Sequence, residues 1–301
     1  MWGIALIVVA VSAGWLWTPD KPREALEARY AAPPSRFVEV AGLRLHVRES
    51  GPPDAPAVIL MHGFGASLHT WEDWARGLES EWRVIRFDLP GAGLTGPDPA
   101  ADYRDERGEQ ILLALMDRLR LARASLVGHS MGGRLAWRFA ADHPDRVNKL
   151  VLVAPDGFAS PGFEYDKPPE VPAAFGLMRR VLPRPLMRMN LASAYADPDA
   201  LTDERVARYH DMLLAPGVRD ALLERMRQVR LRDPLPLLAR IHAPTLLIWG
   251  EQDAMIPLAN AADYLKAVAG ARLVSLPGVG HLPQEEHPAA ALEALSRFLR
   301  E

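Results

Sequence analysis

The chain has 301 residues, enough for one large or two small domains, and 49% of them are hydrophobic, ample for a sizeable core. Its formal charge is -3 with acidic and basic residues interspersed, so it offers no broad positive face for phosphate backbones, which argues against a nucleic-acid partner. It contains no cysteine, which excludes disulfides, thiolate metal ligands and a cysteine nucleophile while leaving the redox compartment open.

The first predicted element is a membrane helix. Trp2 to Trp17 carry no charge and are mostly Ile, Val, Leu, Ala and Gly. A helix from Met1 to Thr18 would span about 27 Å, close to the hydrocarbon thickness, with Trp2, Trp15 and Trp17 at the two interfaces. A single-pass anchor over residues 1–18 is expected, with the membrane side undetermined. The alternative is a cleaved signal peptide, since Val11-Ser12-Ala13 resembles a small-residue cleavage site, although no basic residue precedes the short apolar region. Residues 19–35, rich in proline and charge, read as a linker with room for a short helix from Arg23 to Tyr30.

The folded domain is expected over residues 36–301. Phe37 to Val40 and Leu43 to Arg48, joined by Ala41-Gly42, read as a hairpin. Short apolar runs follow at Ala57 to Met61, Arg83 to Phe87, Ala124 to Val127, Lys149 to Ala154, Thr245 to Trp249 and Arg272 to Leu276. Helical patterns lie between them at Thr70 to Leu78, Arg107 to Leu121, Met131 to Ala141, Leu258 to Val268 and Pro288 to Leu299. The alternation predicts a mainly parallel sheet covered on both faces, with a hairpin at one edge. From about 157 to 240 the alternation breaks: Ala173 to Val181, Asp203 to Leu214 and Val218 to Leu231 read as helices divided by prolines, a helical insertion between two strands.

The motifs sit at strand ends. Gly128-His129-Ser130-Met131-Gly132 fits Gly-x-Ser-x-Gly between a β-branched run and a helical run, the pattern of a nucleophile elbow, in which the glycines make room for a sharp turn. A serine hydroxyl needs an imidazole to take its proton and a carboxylate to hold that imidazole in the correct tautomer. Asp253, in Trp-Gly-Glu-Gln-Asp, and His281, in Pro-Gly-Val-Gly-His, each follow a predicted strand downstream of Ser130. Asp156 and Glu251 are the competing acids. Where the Ala57 to Met61 strand ends, His62-Gly63-Phe64-Gly65 stands ready to turn the Phe64 N–H toward the Met131 N–H as an oxyanion hole. The His62 side chain reads as structural, and His129 and His287 have no visible site. No spacing suggests a metal. Gly91-Ala-Gly-Leu-Thr-Gly96 matches the dinucleotide pattern, but Pro97 and Pro99 prevent the helix that motif must open, so no cofactor is implied.

On these motifs, together with Asp88-Leu-Pro-Gly91-Ala-Gly93, the chain resembles an α/β-hydrolase with a helical cap over essentially everything after the linker. The resemblance implies an α/β fold with an eight-stranded sheet and a triad of Ser130, Asp253 and His281. Serine at the elbow departs from the dehalogenase and epoxide-hydrolase branches, which have aspartate there. The expected reaction is hydrolysis of a carboxylic ester through an acyl-enzyme. Alternatives on the same triad are C–C hydrolysis of a vinylogous diketone, thioester hydrolysis or perhydrolysis; a catalytically idle ligand receptor is the non-enzyme alternative. Phe175, Met178 and Met187, in the apolar and deformable part of the insertion, are the candidate substrate contacts for an apolar ester, against the plainer reading that they pack the cap.

Overall fold

The computed structural model describes residues 17–159, 164–167 and 169–301. Its short apolar runs become one eight-stranded sheet in the order β1-β2-β4-β3-β5-β6-β7-β8. The strands are β1 Ser35–Val40, β2 Leu43–Ser50, β3 Ala57–Met61, β4 Arg83–Phe87, β5 Ala124–His129, β6 Val147–Val153, β7 Thr245–Gly250 and β8 Arg272–Leu276. β1, β2 and β4 run antiparallel to one another in turn, and every pairing from β4 across to β8 is parallel.

Alternate residues of the central strands serve opposite faces. Ile59, Met61, Leu126, Leu150 and Leu247 pack with the helices Asp105–Arg118, Met131–Asp142 and Ala261–Ala267, whereas Val58, Leu60, Val127, Val151 and Ile248 pack with Glu72–Leu78 and Pro288–Arg300. Because both faces are covered, β3, β5 and β7 are buried at every position and read as continuous apolar runs. Parallel pairing also delivers the carboxyl ends of β3 to β8 to one side of the sheet, where the loops that follow them converge.

Between β6 and β7 the described residues add no strand to the sheet, and their helices are Ala173–Arg179, Arg184–Ala192, Pro198–Ala200, Asp203–Leu213, Val218–Gln228 and Leu235–Leu238. The first departs from expectation in type. It is a 3-10 helix with no fully buried residue, Met178 being half-buried against the insertion's apolar cluster. Thr202 starts Asp203–Leu213 by accepting the Arg205 N–H on its hydroxyl.

The short helix expected within residues 19–35 is present, as Arg23–Tyr30, and its segment packs on the insertion as a strap: Leu26 is buried with Leu182, Met187, Tyr209 and Met212. The Asp211 carboxylate accepts from Lys21 Nζ at 2.6 Å, Arg29 Nη1 at 2.9 Å and the Tyr30 hydroxyl at 2.8 Å. The expected membrane helix lies, apart from Trp17 and Thr18, outside the described residues. These two do not continue a helix: Trp17 bridges Val181, the Thr18 N–H donates to Arg180 O at 2.7 Å, and the Thr18 hydroxyl accepts from Leu182 N at 3.1 Å. Among the described residues no helix is long and apolar enough to cross a membrane, and the expectation of a spanning anchor is corrected to that extent: it finds no support among them.

Candidate active site

Ser130 is the hinge between β5 and the helix Met131–Asp142, and its backbone is strained, with φ 51 and ψ -119. The turn is possible because a Cβ at Gly128 would lie 2.2 Å from Gly132 O, and one at Gly132 would lie 2.3 Å from Met61 O. At the first position of its helix, the Met131 N–H has no intrahelical acceptor. The loop after β3 lies alongside: a Cβ at Gly63 would be 3.2 Å from Ser130 Cβ, and Phe64, next in the chain, is exposed.

The acid and the imidazole expected from the sequence meet. His281 Nδ1–H donates to Asp253 Oδ2 at 2.8 Å, both residues being buried. The other oxygen, Asp253 Oδ1, accepts from Met255 N at 2.9 Å and Ile256 N at 2.8 Å, so neither oxygen is free to rotate away. Asp156 is not brought to the imidazole: its carboxylate lies 3.0 Å from Arg134 Nη1. Glu251 accepts from the Ser275 hydroxyl at 2.9 Å.

His62 behaves as a strut. Its Nδ1–H donates to Gly63 O at 2.8 Å and its Nε2 accepts from Leu89 N at 2.9 Å, tying the loops after β3 and β4, and burial keeps it neutral by lowering its pKa. Asp88 reinforces the same loops by accepting from Leu68 N at 2.7 Å and Leu94 N at 2.8 Å. Burial pushes the Asp88 carboxyl up, but His46, whose Nδ1 hydrogen-bonds it at 2.8 Å, leads the effects that outweigh burial and hold the group at about 2. The glycines from 91 to 96 shape this turn, closed by Gly91 N to Gly96 O at 2.7 Å, and the next helix begins only at Asp105.

Sequence reasoning missed two residues here. His129 is buried, stacks 4.6 Å from the His281 ring, and donates its Nε2–H to His281 O at 2.7 Å; only its place beside Ser130 could have flagged it. Burial, with His281 adding to it, holds its pKa well below the ordinary value. Arg225, from the insertion, lines a crevice with Met131, Leu135, Pro90, Tyr103 and the acidic residues Asp102 and Asp105. Its guanidinium donates to Pro90 O and stacks over the Tyr103 ring, 5.2 Å from its centre. Burial, then the nearby Arg134, lowers its pKa to about 10. Among the described residues no carboxylate lies within ion-pair distance of Arg225, whereas Arg134, Arg205, Arg208 and Arg219 each have one.

The expected substrate contacts fare differently. Met187 is buried and Met178 half-buried in the apolar cluster that the insertion shares with Leu26, while Phe175 is 44% exposed. The described contacts of the two methionines are those of insertion packing.

A model of the α/β hydrolase fold matches residues 56–288. The 2-hydroxy-6-oxononadienedioate/2-hydroxy-6-oxononatrienedioate hydrolase of Cupriavidus pinatubonensis is 31% identical over 279 residues, covering 88% of this chain and 95% of that protein. Among solved structures, a bacterial membrane phospholipase A superposes with a TM-score of 0.76 at 25% identity, covering 98% of this chain and 96% of its own. The enol-lactonase of Burkholderia xenovorans superposes with a TM-score of 0.76 at 27% identity, covering 88% and 100%.

Proposed function

Since the chain belongs to the α/β-hydrolase fold family, and is a hydrolase by that kinship, we propose that it cleaves a C–C bond next to a ketone in a 2-hydroxy-6-oxo-dienoate, using Ser130 as nucleophile. The hydrogen bond from His281 Nδ1 to Asp253 Oδ2 carries the mechanistic part of this reading, because it leaves Nε2 as the basic nitrogen. The substrate class rests on the C. pinatubonensis relative, whose name places a hydroxyl at C2 and a ketone at C6 of a dicarboxylate.

In this reading His281 Nε2 takes the Ser130 proton as the hydroxyl attacks the C6 carbonyl, and the oxyanion rests on the Phe64 and Met131 N–H groups. The C5–C6 bond then breaks. Its electron pair passes into the conjugated system of the 2-keto tautomer, and His281 returns the proton to the leaving fragment. Water, activated by the same imidazole, hydrolyses the acyl-Ser130 ester to release the acid. Arg225 supports an anionic substrate: a guanidinium has five N–H donors, and although Asp102 and Asp105 line the same crevice, among the described residues no carboxylate lies within ion-pair distance of this one.

Ester hydrolysis by the same groups is the second reading, favoured by the phospholipase A structure, which covers 98% of this chain, and by the enol-lactonase. Assaying purified protein on a 2-hydroxy-6-oxo-dienoate and on p-nitrophenyl hexanoate separates the two. The C–C reading expects the larger kcat/KM on the dienoate, and expects Arg225→Gln to raise KM about tenfold or more for the dienoate while barely moving it for the neutral ester. A larger kcat/KM on the ester, with Arg225→Gln affecting both substrates alike, would replace it with ester hydrolysis.

A further inference from the structure

The loop that carries His281 is gripped by groups that the reaction itself does not use. The His281 N–H donates to Ala194 O, in the insertion, at 2.7 Å. On either side, the Glu286 carboxylate accepts from Gly280 N at 3.0 Å and from Leu282 N at 3.2 Å. The same carboxylate reaches into the insertion, where Oε2 accepts from Ala196 N at 2.8 Å. Next to it Glu285, buried, accepts from the Tyr195 hydroxyl at 2.5 Å, the Tyr209 hydroxyl at 3.2 Å and Arg208 Nη2 at 3.1 Å. The two surfaces touch so closely that a Cβ at Gly280 would lie 2.6 Å from both Ala194 O and Ala196 N.

We propose that residues 194–196 of the cap and the Glu286 carboxylate form a latch that seats the His281 loop, which makes Glu286 a positioning residue for hydrolysis. The cap at this point is a wall of the histidine's seat and not a free lid. Three consecutive N–H groups, 280 to 282, end on one carboxylate and one cap carbonyl, and hydrogen bonds to an ionised acceptor are the stronger kind. Removing the carboxylate strands the Gly280, Leu282 and Ala196 N–H groups together, so the loop and the cap relax at once. The effect on catalysis rests on the assignment of Ser130 and His281 made above.

The test measures the rate at which a fluorophosphonate labels Ser130, together with steady-state kinetics and amide hydrogen exchange, in wild type and in Glu286→Ala, Glu286→Gln and Gly280→Ala. Misplacing the imidazole by about 1 Å should slow labelling and kcat about 100-fold in Glu286→Ala, with KM changed by less than about threefold. Gly280→Ala, which keeps the carboxylate but forces the cap off the loop, should slow labelling comparably, and Glu286→Gln, which keeps one acceptor oxygen, should fall between. Exchange at 194–196 and 280–282 should rise in Glu286→Ala while β5 and β7 stay protected. Wild-type labelling rates in Glu286→Ala or Gly280→Ala, or unchanged exchange at 194–196, would overturn the latch. If Glu286→Ala does not fold, the other two variants decide. A wild type that does not label at all counts against the Ser130 assignment, and the exchange measurements then decide the latch alone.

Discussion

Two aspartates stand at strand ends within the chain's reach of one histidine, and their neighbours separate them. Asp253 has one oxygen on His281 Nδ1 and the other on two backbone N–H groups, whereas Asp156 is spent on Arg134, itself buried and paired with Asp105 as well. Asp253→Asn should therefore lower kcat by about 10³ to 10⁴-fold, because an amide can hold the imidazole in the wrong tautomer, while Asp156→Asn should cost less than about tenfold. Steady-state rates at saturating substrate check the pair, and a more damaging Asp156 variant would reverse the assignment. Strand-end placement and chain order pointed to Ser130, Asp253 and His281 from sequence. They favoured Asp253 and kept Asp156 as the rival, but the partner that occupies Asp156, Arg134, reads as one more polar residue on a helix. His129 was legible only as a neighbour of Ser130; its hold on the His281 carbonyl depends on a strand end and a loop 152 residues apart meeting in space.

At the scale of elements, periodicity was a good guide wherever a segment buries a face against the sheet. The hairpin, the parallel strands and the amphipathic helices all follow from it. On residues 20–30 it gave the helix Arg23–Tyr30 but not its docking, because the partners of this segment, Asp211 and Arg219, lie far along the chain. Leu26, 2% exposed in a helix otherwise mostly open to solvent, pins this strap to the insertion. Leu26→Ala should destabilise the protein by about 2 to 5 kcal/mol through lost burial and the cavity left behind, read as a lower denaturant midpoint. A change below about 0.5 kcal/mol, the size ordinary for surface positions, would show that the strap packs only loosely. For Ala173–Arg179, apolar spacing indicated a helical turn but did not distinguish a 3-10 helix from an α-helix.

For the molecule as a whole, the sheet and its loops were more legible than the substrate. The eight strands, the elbow and the acid-imidazole pair are written in local patterns, whereas the insertion is written in generic apolar residues that serve its own packing, as Met187 does. The expected apolar ester pocket rested on those residues. Arg225, which bears on substrate charge, sits in a helix whose sequence carries many arginines and gives no reason to single one out. The central claim, that Ser130 carries the acyl group during turnover, is tested most directly by acid-quenching the enzyme within its first turnovers of a 2-hydroxy-6-oxo-dienoate and mapping the added mass by peptide mass spectrometry. The account expects the acyl fragment formed by C5–C6 cleavage on the peptide containing Ser130, and its absence in Ser130→Ala. Turnover of the dienoate with no adduct trapped on Ser130, or with the mass on another residue, would contradict it.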